Sequence, residues 1–583
     1  MEYDVILVGL GTAGAEAFRT SVECGLKTLG IERLNGMGGI GTSGCVAFGG
    51  NIPKLMLDYE KAAEKGDVAY ESVVIGAKRE GTRIAGVTYV TNGVVREASA
   101  KVVIDASGNA TVGALLKLPL RRGCDFDGTM APCGRAESWM DNNGGIRPIY
   151  RNYQEDASPD SLETLTATIL KMNCGRHQFW RQNRAKQRML RPSSMVGARE
   201  DPRYVTERIQ TLAEVLEEKT VEDPIFYAWT PEDLPVTDYA FAFESETIQN
   251  WKFLCDLPMF GYPSTISYKT LVVKGITNLL CPSKHFGVAH DLGGGLRMQG
   301  ELRRAGKVAA FAAKLAIEKG ISVNDVAYAE LKPLIEKAGT LRRPAKTIVT
   351  SYHGYAFTPY DDAQVIEELK RDVTRTPEWW YAKSENAPCE RSAYAYWTAW
   401  KRAIDGKGRP LADALAREMS AGGRFAANFA VALGLMKDVR CVPVLRRLVA
   451  EPGCEIDPVI DKAIPNRFKA IAILGRFKDA KAISPLVELV KDDARSFTRD
   501  LLGAHAYNSP DLCRFQALSY SLMALKSILA VYPDAKVVAE LEAWRARPLV
   551  IKGYDGFDLA ARLKKVCFTK KRKGSWENAF LHS

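Results

Sequence analysis

The feature that most constrains this chain is the stretch at residues 3–33, "YDVILVGLGTAGAEAFRTSVECGLKTLGIER". The continuous β-rich run at residues 4–8 is typical of a buried parallel strand. Glycines follow it in the spacing G-x-G-x-x-G, at Gly9, Gly11 and Gly14. The first permits a tight turn, the second lets a pyrophosphate approach the backbone, and the third lets a helix pack closely on the strand. The stretch therefore predicts a strand–turn–helix–strand unit that binds a dinucleotide.

The helix and the second strand of this unit supply further candidate contacts. The helix aims its N-terminal amides, at Thr12 and Ala13, towards the phosphate. The second strand ends at Glu32, 18 residues beyond Gly14, where a carboxylate would hydrogen-bond the ribose hydroxyls. Arg33 follows directly and is assigned to the same site. The alternative, chance glycines in a turn, requires strand, helix, second strand and acid to coincide.

A second glycine cluster, "NGMGGIGTSG" at residues 35–44, follows this acid. Nicotinamide enzymes do not require such a cluster, and it resembles the segment of two-dinucleotide-domain FAD enzymes where the chain turns back along the extended cofactor. The resemblance implies FAD as the cofactor. It also implies that the backbone passes beside the pyrophosphate and flavin at Gly38, Gly39 and Gly41, with hydroxyls from Thr42 and Ser43.

Two later segments resemble the same type of flavoprotein. "AKVVIDASGNATVGALLKL" at residues 100–118 resembles the strand that returns to the adenosine half of the cofactor. The hairpin before it would contact adenine through the backbone of Val73 or Val74. In residues 268–320, "NLL" resembles the last parallel strand, and a glycine turn opens a long alanine-rich helix whose dipole would face the flavin pyrimidine. The residues implied by these two resemblances are Ala106, Ser107, Gly108, Gly295, Arg297 and Met298.

Together these motifs resemble the FAD-dependent oxidoreductase family distantly related to fumarate reductase and succinate dehydrogenase flavoproteins. "MVGARED" at residues 195–201 is similar to the G-A-R-E signature of its bacterial members. The resemblance covers residues 1–115 and roughly 190–320. The chain departs from the family pattern after "NLL", where Cys281 begins "CPSKH" in place of a small glycine turn, and at Asn109, where an acid is frequent.

The resemblance implies where the chemistry lies. His285 and His290 flank the exit of the last strand, in a loop expected to reach the isoalloxazine, and either is a candidate general base while a hydride leaves for flavin N5. Both also read as structural loop histidines. Arg297 matches the arginine of the family's G-x-x-R and would contact the cofactor or a substrate carboxylate. Arg199 and Glu200 are expected to form a buried pair beside the site or an ordinary salt bridge.

Cysteines and metal motifs add little chemistry. Cys45 and Cys281 lie in cofactor-proximal segments, so a covalent flavin link or a redox role is conceivable, although inert thiols are favoured. The six histidines show no metal-binding spacing, and no metal is predicted.

The rest of the chain predicts an inserted α+β substrate domain at residues 116–265. The α/β Rossmann-type FAD-binding domain then comprises residues 1–115 and 266–325. Residues 326–400 form an aromatic-rich linker, and a basic tail covers residues 551–583. Aromatic residues of the insertion, such as Trp139 and Phe226, are interpreted as core rather than as a ring-binding wall.

Residues 401–550 predict an all-α domain. Within it, residues 431–451 align without gaps on residues 472–492, at an offset of 41. This period resembles HEAT-type repeats, each made of a helix, a turn carrying Asp and a second helix. A packed accessory or dimerising domain is favoured over a protein-docking platform.

Charge and hydropathy limit the function classes. No apolar run approaches the length of a membrane helix, and the net charge of +11 does not by itself indicate nucleic-acid binding. With these limits, the resemblance implies a cytoplasmic, bacterial FAD-dependent oxidoreductase that transfers a hydride between flavin N5 and a small polar substrate, of the sugar or hydroxy acid class by family analogy, with an unknown electron acceptor. A homo-oligomer or protein partner is possible through the repeats. The alternatives are a flavoprotein scaffold and an RNA-modifying flavoenzyme.

Overall fold

The described residues of this computed structural model are 2–44, 46, 52–131, 133–153, 166–167, 169–170, 181, 185–193, 195–230, 241–255, 262–342, 360–371, 373–374, 388–451, 454, 456, 460–461, 464–491, 510–551 and 559–568. The chain divides into two compact units. The first unit comprises Met1–Pro235 and Tyr262–Pro344, and the second comprises Val236–Gly261 and Ala345–Lys573.

The elements are numbered along the whole chain. The strands are β1 (Glu2–Val8), β2 (Thr28–Ile31), β3 (Asp67–Ala69), β4 (Val73–Glu80), β5 (Arg83–Thr91), β6 (Val94–Asp105), β7 (Leu120–Arg121), β8 (Cys133–Asp141), β9 (Ile146–Tyr153), β10 (Gln187–Pro192), β11 (Arg203–Tyr204), β12 (Pro224–Thr230), β13 (Tyr262–Ser267), β14 (Leu279–Leu280), β15 (Val373–Thr374) and β16 (Ile460–Asp461). The helices are α1 (Thr12–Glu23), α2 (Ile52–Ala63), α3 (Thr111–Leu115), α4 (Leu212–Leu216), α5 (Glu246–Gln249), α6 (His290–Leu296), α7 (Gln299–Lys319), α8 (Tyr328–Lys337), α9 (Asp362–Leu369), α10 (Pro388–Ile404), α11 (Arg409–Ser420), α12 (Ala426–Leu435), α13 (Val442–Ala450), α14 (Asn466–Arg476), α15 (Ile483–Lys491), α16 (Pro510–Leu529), α17 (Ala535–Arg545) and α18 (Ala560–Lys564).

A mostly parallel sheet forms the centre of the first unit. Its strand order is β3-β2-β1-β6-β5-β4, and β14 pairs in parallel with the carboxyl half of β6. Val5, Ile6 and Leu7 of β1 are fully buried, as expected for a strand covered on both faces. Helices α1 and α7 touch at Gly306, where a Cβ would lie 2.2 Å from the Ala13 carbonyl oxygen.

The middle of the chain is β-rich but does not belong to one unit. Antiparallel strands β10-β8-β9 form a small sheet, and β12 pairs with β13. Residues 236–261 lie in the second unit, so the predicted boundary at residue 265 differs from the structure. The reason is apolar packing: Phe253 is fully buried, and its ring stacks 3.8 Å from that of Tyr520 in α16. Trp139 and Phe226 are buried in the first unit.

The two copies of the sequence repeat adopt matching structures. Helices α12 and α13 form the first copy, and α14 and α15 form the second; a 3₁₀ turn after Asp438 or Asp479 joins each pair. The matched glycines lie where helices approach closely. A Cβ on Gly434 would lie 2.6 Å from Ile473 Cδ1, and one on Gly475 would lie 2.7 Å from Ala524 Cα.

The predicted linker at residues 326–400 is divided between the two units, and part of the predicted basic tail lies outside the described residues. Helix α8, in residues 326–400, belongs to the first unit, whereas the aromatic helix α10 is buried in the second. Trp379, Trp380 and Tyr381 lie outside the described residues, as does 569–583 of the basic tail. Where helices are described, none is long and apolar enough to cross a lipid bilayer.

Candidate cofactor and active site

The carboxyl ends of the parallel strands β1 and β6 lie side by side, and this place is here called the cofactor crevice. The strand order reverses at this place: β2 and then β3 lie on one side of β1, and β6 lies on its other side. Such a switch point is where open α/β sheets bind ligands. Gly9 (φ +85°) follows β1, and a Cβ on it would lie 2.7 Å from Ser107 Cα, just after β6. The turns after both strands therefore meet at this crevice.

The first glycine turn has the geometry that its spacing predicts. A Cβ on Gly14 would lie 2.0 Å from the Gly9 carbonyl oxygen, so any side chain would separate α1 from β1. At Gly11 an added Cβ would point into open space within the described part of the chain. Gly11 is also the N-cap of α1, so the free amides of the first helical turn face that space.

The second glycine cluster packs directly on the first. The Gly38 amide donates to the Leu10 carbonyl at 2.9 Å, and a Cβ on Gly39 (φ +55°) would lie 2.8 Å from Gly11 Cα. On its other side, a Cβ on Gly41 would lie 2.6 Å from Gln299 Oε1, at the start of α7. The cluster therefore lies close to the backbone at the N-terminus of α1 and to the first side chain of α7.

Glu32 lies beside the same turn. Its Oε2 accepts from the Leu10 amide at 2.6 Å and its Oε1 from the Leu34 amide at 2.9 Å. Burial raises the pKa of Glu32, and the backbone hydrogen bonds oppose this increase. Arg33 is exposed, whereas Val74, in the hairpin beyond β3, is buried.

Asp105 organises the turn after β6. It is fully buried, and its Oδ1 accepts from the amide of Ser107 at 3.0 Å and from its hydroxyl at 2.6 Å. Its Oδ2 accepts from the Val112 amide at 2.9 Å and from the Tyr204 hydroxyl at 2.6 Å. The turn containing Ala106, Ser107 and Gly108 is thus held by Asp105 and Val112 of the motif and by Tyr204 from outside it.

His285 and Cys281 lie in the interior rather than at an exposed loop. His285 is fully buried, and its Nε2 lies 3.1 Å from the Asp105 carbonyl oxygen. Burial lowers the pKa of His285. The Cys281 thiol donates to the Leu271 carbonyl at 3.4 Å, and burial raises its pKa. His285 is thus not an exposed loop residue, because the chain turns inward after β14; its approach to the flavin stays a prediction.

His290 occupies a different environment at the start of α6. Its Nδ1 lies 2.7 Å from Glu200 Oε2. Glu200 also accepts from the Ala131 amide at 2.8 Å and forms an ion pair with Arg203. Although burial opposes ionisation, the positive charges of His290 and Arg203 and these hydrogen bonds hold the pKa of Glu200 at about 2. Glu200 is therefore a buried carboxylate that stays charged.

Two arginines and a lysine lie in the same segments of the chain. Arg199 and Arg297 are half-buried, and the Arg297 amide donates to the Gly293 carbonyl at the end of α6. Lys284 forms an ion pair with Asp201 and donates to the Ala198 carbonyl. The sequence analysis missed Arg203 and Tyr204. Their only signal was their position in an irregular segment a few residues after "GARE".

These residues fit FAD. The glycine turn leaves open space beside free helix amides at Gly11, which suits a pyrophosphate. Gly41 and Gln299 bring a second helix N-terminus, that of the 21-residue α7, to the same crevice, which suits the anionic reduced ring. The buried Glu32 carboxylate lies where a ribose would follow the phosphate.

Comparison with known proteins identifies the family. The model of the family described as FAD dependent oxidoreductase matches residues 50–190 and 179–335. Among curated proteins, none matches this chain.

Several solved structures resemble parts of the chain. One is a geranylgeranyl bacteriochlorophyll reductase-like protein from Thermoplasma acidophilum, at 15% identity and a TM-score of 0.28, with 58% of this chain and 83% of that chain covered. Another is a thioredoxin reductase from T. acidophilum, at 21% identity and a TM-score of 0.16, covering 19% of this chain and 36% of that chain. A third is a cyclohexanone monooxygenase mutant from Rhodococcus sp. Phi1, at 17% identity and a TM-score of 0.16, covering 19% and 27%. Scores this low carry no argument about substrate. The family match, with the FAD-binding Rossmann-like fold, shows that the chain belongs to the FAD-dependent oxidoreductase family and that its cofactor is FAD.

Proposed function

We propose that this enzyme transfers a hydride between flavin N5 and a small polar organic substrate of the sugar or hydroxy acid class, and that His290 exchanges the substrate's hydroxyl proton. The contact between His290 and the buried Glu200 carboxylate is the observation that carries this proposal. FAD, when bound, supplies the atom that gains or loses the hydride.

Glu200 would set the proton chemistry of His290. When Nδ1–H donates to the carboxylate, Nε2 keeps its lone pair and can take a proton from a hydroxyl. Ala131 and Arg203 fix the carboxylate, so the imidazole has one preferred orientation. Of the two candidate histidines, we therefore propose His290 as the base, because His285 is fully buried beside a backbone carbonyl.

The cofactor contacts remain as the motifs predict them. The pyrophosphate would lie against Gly9, Gly11, Thr12, Ala13 and Gly14. The ribose would bind Glu32, with Arg33 beside it, and the adenosine would lie near Val74, Ala106, Ser107 and Gly108. The chain would approach the flavin and its phosphates at Gly38, Gly39, Gly41, Thr42, Ser43, Gly295 and Met298.

Two arginines are proposed for anionic groups. Arg297, at the end of α6, would bind the cofactor or a substrate carboxylate, and Arg199, next to Glu200, would bind the substrate. Both are half-buried, and a guanidinium in such a position suits planar carboxylate recognition.

The remaining parts of the chain are proposed to have supporting roles. The described part of residues 116–235 would cover the substrate. The repeats of the second unit are proposed to be HEAT-like and to form a packed accessory or dimerising domain, supported by the two matching helix pairs. The reduced thiols of Cys24, Cys281 and Cys441 support a cytoplasmic location.

The test is anaerobic reduction of the purified enzyme by panels of sugars and hydroxy acids, followed as bleaching of the flavin bands. With a substrate that bleaches the wild type, His290→Gln should slow reduction by about 10²–10⁴-fold. Glu330→Gln, which removes an exposed carboxylate paired with Lys319, should leave the rate unchanged.

The outcomes separate the alternatives. Bleaching by neither class would reject the substrate proposal, and an unaffected rate in His290→Gln would reject the role of His290. A scaffold predicts no bleaching by any metabolite extract, and an RNA-modifying enzyme predicts salt-dependent binding of RNA.

A further inference from the structure

The hydrogen bond from Tyr204 to Asp105 joins two parts of the chain that are 99 residues apart. The donors to Asp105 from Ser107 and Val112 are local, and they close the turn after β6. Tyr204 reaches this turn from β11, which pairs with β7. Its hydroxyl is the donor to the turn's carboxylate that comes from outside the motif.

Both the hydroxyl and the ring of Tyr204 make close contacts at this turn. While its hydroxyl donates to Asp105, the same oxygen accepts from the Gly113 amide at 2.7 Å. A Cβ on Gly113 would lie 2.5 Å from Tyr204 Cε1, so the ring fills the space that the glycine leaves. Burial and the Asp105 carboxylate raise the pKa of Tyr204 well above its ordinary value. The hydroxyl therefore remains a donor at every physiological pH.

The turn that Tyr204 supports forms a wall of the cofactor crevice. Ser107 Cα packs against Gly9, which begins the pyrophosphate-binding motif, and Gly108 continues the turn at φ +85°. The Asp105 carboxylate accepts hydrogen bonds from the backbone amide and from the hydroxyl of Ser107. A shift of Asp105 would therefore move both of these groups. Contacts between backbones leave little space to absorb such a shift.

We propose that Tyr204 is a positioning residue for FAD: its hydroxyl holds Asp105, which in turn holds the Ser107–Gly108 turn against the Gly9 loop. The effect should fall on the ADP half of the cofactor, because the Gly9 loop is the pyrophosphate-binding end of the site.

The test is Tyr204→Phe in the full-length apoprotein, with FAD, ADP and riboflavin titrated separately. The variant keeps the ring and loses both hydrogen bonds of the hydroxyl, the one to the charged Asp105 carboxylate and the one from the Gly113 amide. We expect the dissociation constant to rise about tenfold. We expect this rise for both FAD and ADP, and an unchanged dissociation constant for riboflavin, which lacks the ADP half.

Tyr268→Phe is the matched control. Tyr268 is also buried in the first unit, but its hydroxyl donates to the Val323 carbonyl at 2.8 Å, away from the two glycine turns. This variant should unfold at a lower temperature and bind ADP as the wild type does. Equal weakening of ADP binding in both variants would assign the effect to general destabilisation and overturn the proposal.

A second variant covers the case in which Tyr204→Phe does not fold. Asp105→Asn keeps the size of the side chain and replaces one acceptor oxygen by an amide that cannot accept from Tyr204 or Val112. It should weaken ADP and FAD equally and leave riboflavin unchanged. Wild-type affinity for ADP in either folded variant would refute the proposed role.

Discussion

Glu200 Oε2 lies 2.7 Å from His290 Nδ1, although 90 residues separate the two side chains in sequence. The carboxylate is shared with Arg203, so one buried anion contacts a permanent cation and a histidine that is cationic only when it is protonated. A buried ion pair contributes little net stability when intact, but removing one partner leaves an uncompensated charge. This asymmetry determines how the enzyme should respond to pH and to substitution.

Glu200→Gln is expected to destabilise the enzyme by about 3 kcal/mol at pH 7, because Arg203 stays buried without its counter-charge. The pKa of Glu200 in the folded enzyme is about 2, below its ordinary value of 4.5. Its stabilisation is therefore fully present above pH 4.5 and is lost as the pH falls through 2. Urea unfolding of the two proteins should give free energies that differ at pH 7 and converge towards pH 2. Free energies of unfolding that differ by the same amount at every pH would contradict the proposed charge of Glu200. The surface control Glu330→Gln should change the free energy of unfolding by less than about 1 kcal/mol.

Gly306→Ala tests the crossing of α1 and α7. The new Cβ would lie 2.2 Å from the Ala13 carbonyl oxygen, a backbone atom that cannot move alone. Overpacking of this kind costs about 1–3 kcal/mol, and the shift of α1 should also weaken FAD binding. Thermal denaturation of the apoprotein and FAD titration measure the two effects.

Gly300→Ala is the control for this substitution. It lies in the same helix, and its Cβ would meet open space among the described residues. Because alanine favours helix, the free energy of unfolding should stay equal or rise by up to about 1 kcal/mol. A similar loss in both variants would show that helix propensity, not the crossing, explains the result.

The flavin should be released by acid precipitation. A covalent link would need a cysteine or histidine near the cofactor motifs, and Cys281 and His285 are fully buried and hydrogen-bond to backbone carbonyls. Burial also raises the pKa of the Cys281 thiol, so little nucleophilic thiolate forms. His290 is engaged with Glu200, and Cys45 lies outside the described residues. After precipitation, the supernatant should carry the flavin absorbance. A yellow pellet would contradict this prediction and, with Cys281 inaccessible, would direct attention to Cys45.

Sequence alone predicted the parts of the site that depend on local backbone chemistry. Gly9, Gly14 and Gly39 lie where a side chain would collide with backbone atoms. Because glycine alone fits such positions, each can be recognised in the sequence as a glycine at a fixed spacing. The parts that depend on distant partners were not predictable. Tyr204 has no local pattern, and His285 reads as a loop residue until the chain around it is seen to turn inward.

The same limit applies to the division into units. Residues 241–255 carry no periodicity that assigns them to the helical unit. They join it through tertiary contacts, such as the stacking of Phe253 on Tyr520 and the hydrogen bond from Arg476 to Asn250. The repeat, in contrast, was visible because two copies of one local structure leave the same residues at the same offset. Gly434 and Gly475 are such a pair.

These two glycines provide a comparison within one protein. At Gly475 a Cβ would lie 2.7 Å from Ala524 Cα, whereas at Gly434 the nearest atoms, at 2.6 Å, belong to the Ile473 side chain. A side chain can change rotamer, and a backbone atom of a packed helix cannot move without its neighbours. Gly475→Ala should therefore cost about 1–3 kcal/mol, and Gly434→Ala should cost less, since the added methyl group also favours helix. Urea unfolding of the second unit, followed by tryptophan fluorescence, measures both. A larger loss in Gly434→Ala would mean that the α14–α16 contact is looser than the α12–α14 contact, which would contradict the close approach at Ala524.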